Sequence, residues 1–136
     1  MIVYQIENHL SVEEYICVLI DSTLGERRPV DEPDRIAKML EHANLIVTAR
    51  DQGKLVGVAR SFTDFVYCTY LADLAIDLKY QKQGIGKELL RFVKKETPKA
   101  KLILLAAPKA VNYYPHIGMT QWEQCYTLND IHELKQ

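Results

Sequence analysis

Several features are missing from this chain, and each absence excludes a class of function. No apolar run approaches the ~20 residues that a membrane-spanning helix needs. The opening stretch, Met1-Ile2-Val3-Tyr4-Gln5-Ile6-Glu7, lacks the basic-then-apolar layout of a secretory leader. The 17 basic and 18 acidic residues are interspersed and leave a net charge of only −1, so neither a nucleic-acid face nor a membrane-binding face is expected. Cys17, Cys68 and Cys125 are odd in number and widely spaced. They and the four histidines (His9, His42, His116 and His132) share no ligand spacing, so no metal site is expected. The cysteines sit in apolar contexts, which predicts reduced thiols in the core of a cytoplasmic protein. No segment repeats and none is low in complexity.

What is present fits one domain spanning residues 1–136, with 48% hydrophobic and 26% charged residues. Ile2 to Ile6 alternate as a short strand. Ser11-Val12-Glu13-Glu14 is a capping box that opens a helix running to about Leu24. Gly25 to Pro33 reads as a loop, and Asp34 to Ala43 regains helical spacing through Ile36, Met39 and Leu40. Strands are predicted at Leu45–Arg50 and Leu55–Phe62, joined by the turn Asp51-Gln52-Gly53-Lys54, and a third from about Val66 to Asp77. After a further helix stopped by Thr97-Pro98 come a strand at Lys101–Ala106, a short helix at Lys109–Tyr114 and a last strand at about Met119–Leu128. The order is α+β: a mixed, mostly antiparallel sheet of about six strands flanked by helices on both faces.

The richest segment begins at Leu74. An apolar strand gives way to a polar loop, then to two glycines one residue apart, then to a helix whose Ile85, Leu89, Phe92 and Val93 share one face. The first amides of a helix have no partner within it, and its N-terminus carries partial positive charge. With glycines at 84 and 86 a ligand can approach that backbone closely, so the turn suits an anion such as phosphate. A plain tight strand-to-helix turn is the other reading. A dinucleotide fingerprint would need glycine where Leu89 stands, and a P-loop would need Gly and Ser or Thr where Gln81 and Glu88 stand.

Gln81-Lys82-Gln83-Gly84-Ile85-Gly86 resembles the acetyl-CoA signature, Q-x-x-G-x-G, of the GNAT family of N-acetyltransferases. Downstream, Ala110 to Met119 is similar to that family's late helix and turn, in which Tyr114 precedes Gly118 by four residues. The two motifs cover roughly residues 71 to 119, in the family's order. The resemblance implies the acyl-CoA N-acyltransferase fold and direct transfer of an acetyl group from acetyl-CoA to a small-molecule or peptide amine, with a homodimer left open. A non-catalytic acyl-CoA-binding or regulatory domain of the same fold is the alternative.

In that comparison the pantetheine arm pairs with backbone near Ala75 and Ile76, and the pyrophosphate rests on the amides of Gln83, Gly84, Ile85, Gly86 and Lys87. Lys82 and Lys87 either add charge to the phosphates or are ordinary solvated cations. Tyr114 aligns with the tyrosine that protonates the leaving thiolate, and Tyr113 is expected to pack. Many relatives carry a Glu on the strand before the loop, on the face of Leu74 and Ile76. Strict alternation places Cys68 and Tyr70 there instead, with Asp73 and Asp77 on the opposite face. Asp73, expected to be buried, is either a structural acceptor or a base or amine ligand; Asp77 and a water relay also remain. For the acceptor amine the resemblance nominates Arg28, Glu32, Arg60, Asp64 and Tyr67 without choosing among them.

Overall fold

Short local signals start and stop most elements of the structure, a computed structural model that describes residues 1–135. The chain divides into two units, Met1–Leu105 and Ala106–Gln136, and each is described by itself.

The first unit opens with strand β1 (Ile2–Ile6). Helix α1 (Val12–Asp21) follows, and its first turn is capped by the Ser11 hydroxyl accepting from the Glu14 N–H at 3.2 Å. Tyr15, Val18 and Leu19 form its buried stripe, which turns Cys17 outward. The helix stops earlier than the predicted Leu24, and a single 3-10 turn at Leu24–Arg27 starts the connection to α2 (Pro33–His42). Pro33 opens α2 because its missing N–H is one that the first turn leaves unbonded anyway.

Strands β2 (Leu45–Asp51) and β3 (Lys54–Thr63) are joined by Gln52 and Gly53, both with positive φ, the geometry of a type I′ hairpin turn. Strand β4 (Cys68–Ile76) begins after a turn organised by Asp64, whose carboxylate accepts the N–H groups of Val66, Tyr67 and Cys68 at 2.8–3.1 Å. Helix α3 (Ile85–Glu96) then crosses over to β5 (Lys101–Leu104). The sheet order is β1-β2-β3-β4-β5, with antiparallel neighbours except the parallel β4–β5 pair.

Helices cover both faces, as expected. Tyr15, Val18, Leu19, Ile36 and Leu40 pack with Ile46, Val58 and Ala75 on one face. On the other, Gly57 lies under α3, where an added Cβ would meet Ile85 Cγ2 and Leu89 Cδ1 at 3.3 Å. That glycine allows helix and sheet to approach closely.

The second unit holds a 3-10 turn at Pro108–Ala110 and a one-turn helix α4 (Tyr113–His116), with another 3-10 turn at Ile131–Glu133. Three expectations are corrected. The segment expected as a last strand, Met119–Leu128, is irregular and leaves Trp122, Tyr126 and Leu128 exposed, so the described sheet has five strands. Without a neighbouring ladder an extended segment has no inter-strand hydrogen bonds to hold it. The three cysteines are free, but they are exposed and not in the core: Cys17 faces outward on α1, Cys68 starts β4 and Cys125 lies in the irregular segment. The third correction concerns β4. Opposite the step from Arg60 to Ser61, β4 runs from Asp73 to Leu71, so Ala72 is an extra residue in a bulge. The bulge inverts the alternation. Tyr70 pairs with Phe62, which packs on the α1–α2 side, so Tyr70 and Cys68 do not share the face of Leu74 and Ile76.

Candidate active site

Two features of β4 leave part of its outer edge without a strand partner. Its pairing with β5 ends at Leu71↔Leu104, so among the described residues Asp73 to Ile76 have a strand neighbour only on the β3 side. The Asp77 N–H bonds back to Val56 O at 2.9 Å. Since the N–H and C=O of one trans peptide point in opposite directions, the Ile76 carbonyl points away from β3 and into that gap. Gln81 Nε2 donates to it at 3.0 Å. The first residue of the glycine motif is thus tied to the strand end that the motif follows.

The loop between β4 and α3 is braced from below and open above. Asp77 accepts the Lys79 N–H at 2.9 Å and caps the 3-10 turn Leu78–Tyr80. Tyr80 donates its hydroxyl to Asp51 Oδ2 at 2.7 Å, linking the loop to the β2–β3 hairpin. Lys82 (φ 64°) and Gly84 (φ 84°) are both left-handed, and together they turn the chain into the helix. Gly84 is the N-cap residue and brings no side chain to satisfy the first turn; a Cβ built on it would touch nothing within 4 Å. Ile85 anchors the turn in the core at 2% exposure, while Gln81, Lys82, Gln83, Gly84 and Lys87 are exposed and Gly86 half-buried. The result is a run of main-chain donors beside two lysines with open space in front of Gly84. This arrangement can receive a pyrophosphate.

Asp73 is the opposite case. Its side chain is wholly buried on the α1–α2 side, where Arg60 Nε approaches Oδ2 at 2.5 Å and Arg28 Nε approaches Oδ1 at 2.7 Å. The Tyr15 hydroxyl donates to Oδ2 as well and accepts from Arg60 Nε at 3.0 Å. Burial on its own would raise the Asp73 carboxyl. The hydrogen bonds from Arg60 and Tyr15, with the charges of Arg60 and Arg28, outweigh it and hold the group below the usual carboxylate range. Burial, then the Asp73 charge, pushes the Tyr15 phenol far up, so it stays a donor. Such saturation suits a structural acceptor. A general base must take up a proton at working pH, and this carboxylate resists one.

Asp77 is also committed, to its turn and to Lys54 Nζ at 3.6 Å. Of the nominated acceptor-site residues, Arg60 is buried and bonds Met39 O at 3.2 Å, and Glu32 pairs with Arg35 at 3.4 Å. Asp64 holds its own turn, and Tyr67 is exposed. Arg28 lies in the α1–α2 connection and reaches β4. Sequence reasoning missed the partnership of Tyr15, Arg28 and Arg60 with Asp73; only the improbability of a lone buried carboxylate pointed to it.

In the second unit, α4 ends in a Schellman motif. Met119 N–H reaches Tyr114 O at 2.9 Å, and Gly118 N–H reaches Pro115 O at 3.1 Å. Gly118 has a φ of 102°, which explains the glycine four residues after Tyr114. Tyr113 and Tyr114 meet edge to face at 5.2 Å. Burial, with a lesser contribution from Tyr113, raises the Tyr114 phenol, so it is protonated at neutral pH. Among the described residues no group of three or more His, Cys, Asp or Glu side chains is placed to hold a metal ion. No helix among them is long and apolar enough to cross a membrane.

The profile of the acetyltransferase (GNAT) domain matches residues 27–132. An uncharacterized N-acetyltransferase, ycf52-like, of Prochlorococcus marinus is 31% identical over 109 residues, covering 75% of this chain and 59% of that protein. The ycf52 protein of Gracilaria tenuistipitata is 29% identical over 119 residues, covering 81% of this chain and 65% of its own. The chain thus spans less than two thirds of the length of these relatives. Among solved structures, a GNAT family acetyltransferase of Streptococcus pneumoniae superposes with a TM-score of 0.78 at 22% identity, covering 96% of this chain and 98% of that one. At that identity the likeness shows the fold. With the profile spanning most of its length, the chain belongs to the GNAT acetyltransferase family.

Proposed function

We propose that this chain is a single acetyltransferase domain that transfers an acetyl group from acetyl-CoA to the amine of a small molecule or peptide. The observation that carries the reading is the open, side-chain-free helix start at Gly84, which follows a strand whose outer edge has no strand partner beyond Leu71 among the described residues. Main-chain donors at Gln83 to Lys87 would take the pyrophosphate, with Lys82 and Lys87 adding solvated charge. Backbone at Ala75 and Ile76 would pair with the amide-bearing arm as an added strand does. A structural neighbour solved with CoA bound, an aminoglycoside N-acetyltransferase (TM-score 0.72, 12% identity, covering 96% of this chain and 95% of that one), supports the choice of co-substrate.

The co-substrate supplies an activated thioester. The neutral amine forms a C–N bond at the carbonyl carbon, the C–S bond breaks, and the amine's proton leaves. Tyr114 has the protonation state to deliver a proton to the departing sulfur. With Asp73 and Asp77 engaged elsewhere, a water relay is the better route for the amine's proton. Asp73 then acts as the charge that organises the acceptor side. The setting is cytoplasmic, and no metal is needed.

Thiol release from acetyl-CoA, followed with a panel of primary amines and short peptides, tests the reading. Amine-dependent release with acetylated product by mass spectrometry supports it. CoA binding without turnover on any amine would favour the non-catalytic acyl-CoA-binding alternative.

A further inference from the structure

Arg28 makes more bonds across element boundaries than a loop residue needs. Its Nε meets Asp73 Oδ1 at 2.7 Å, its Nη2 meets Ala72 O at 2.8 Å, and its Nη1 meets Arg27 O at 2.8 Å. One planar guanidinium therefore grips the bulge of β4, the buried carboxylate beside it and its own connection. A guanidinium holds such a set in a fixed orientation, which an ammonium on a flexible stem cannot do. The bulge makes this grip consequential. Ala72 is left out of both ladders, so its carbonyl needs a donor from elsewhere. The connection needs it too: between Thr23 (φ 72°) and Pro33 it holds one 3-10 turn, and its partly buried Leu24 and Val30 pack on the core.

We propose that Arg28 is a positioning residue for the transfer reaction: it fastens the α1–α2 connection to the β4 bulge and so holds the acceptor-side wall in place. The inference rests on the acetyltransferase reading, which puts the acceptor amine against this connection and the middle of β4. Asp73 is the shared anchor. Its Oδ2 holds Tyr15 of α1 and Arg60 of β3, while its Oδ1 is given to Arg28. Arg60 in turn reaches α2 at Met39 O. The connection is thereby registered against two helices and two strands by one carboxylate, and Arg28 is its only member of that set.

Two variants test this in the full chain. Arg28→Gln removes the charge and the fork; Arg28→Lys keeps the charge but loses the planar fork whose separate nitrogens meet Ala72 O and Asp73. Hydrogen exchange of segment 22–32, CoA affinity by calorimetry and amine-dependent thiol release are measured for each. Arg28→Gln should speed exchange across 22–32 by ten-fold or more and raise the KM for the amine by a similar factor. It should leave kcat within three-fold and CoA affinity within two-fold of wild type, with Arg28→Lys intermediate in both altered readouts. Unchanged exchange would overturn the proposal. So would a fall in kcat at constant KM, or a loss of CoA affinity equal to the loss in amine capture. Should wild type bind CoA yet acetylate no amine, the acetyltransferase reading fails separately. The exchange arm then decides the clamp: faster exchange upholds it and unchanged exchange removes it.

Discussion

In the middle of β4, the Asp73 carboxylate receives two guanidiniums and a phenol, all from residues distant in sequence. Just past the end of the same strand, the backbone donors entering α3 face open space with no capping side chain. The two regions use polar groups for opposite ends. Satisfied groups fix architecture: the Asp73 cluster joins α1, β3, β4 and the α1–α2 connection, and both oxygens of its carboxylate already have donors. Unsatisfied groups at a braced, rigid turn leave capacity for something that arrives later. The candidate binding function therefore belongs to the turn, although Asp73 is the more chemically conspicuous residue.

The sharpest way to break this contrast is to remove the saturated carboxylate. Asp73→Ala would leave the buried Arg60 without its partner, and stripping one member of a buried pair typically costs about 3–5 kcal/mol. Denaturant unfolding should show that loss. A change below about 1 kcal/mol would mean that the cluster is not the anchor described.

Next in size is Tyr114→Phe. It keeps the ring that packs on Tyr113 and removes the hydroxyl, so the fold and CoA affinity should persist while kcat falls by roughly 10²-fold. Equal turnover in the two proteins would assign Tyr114 to packing alone.

A smaller effect sharpens the contrast from a second saturated group. Glu7 receives Arg50 Nε at 2.8 Å, with Thr48 and Gln5 also donating. The Arg50 hydrogen bond, opposed by partial burial, brings its carboxyl down from 4.5 to about 2. A carboxyl lowered by folding stabilises the native state above its unfolded value, and that contribution disappears as pH falls through the folded one. Part of the stability should therefore be lost between about pH 4.5 and 2, and Glu7→Gln should flatten that part of the curve. Acid titrations followed by circular dichroism compare the two. Identical acid limbs would show that the Glu7–Arg50 pair adds nothing.

The two regions also differ in how legible they were. The glycine turn is local: Gln81, Gly84, Gly86 and the apolar stripe of α3 lie within a few residues, and chain order alone brings them together. The same holds for the Ser11 cap and the hairpin turn at Gln52-Gly53. The Asp73 cluster depends on partners 13, 45 and 58 residues away, which no local pattern specifies. The bulge at Ala72 was invisible for another reason. One inserted residue leaves the composition of a strand untouched but exchanges its two faces, which moved Cys68 and Tyr70 to the α1–α2 side. The segment from Met119 to Leu128 carried strand-like residues, yet a strand exists only where a neighbour accepts its hydrogen bonds.

The α3 entrance should bind acyl-CoA through its backbone donors. Isothermal calorimetry with CoA, on wild type and on Gly86→Val, tests it most directly, with circular dichroism confirming that both are folded. Gly86 has no positive φ and lies within α3, so valine there is conformationally tolerable and acts mainly by adding bulk beside the donors. Wild type should bind CoA measurably and the variant at least ten-fold more weakly. Unchanged affinity in a folded Gly86→Val protein would contradict it.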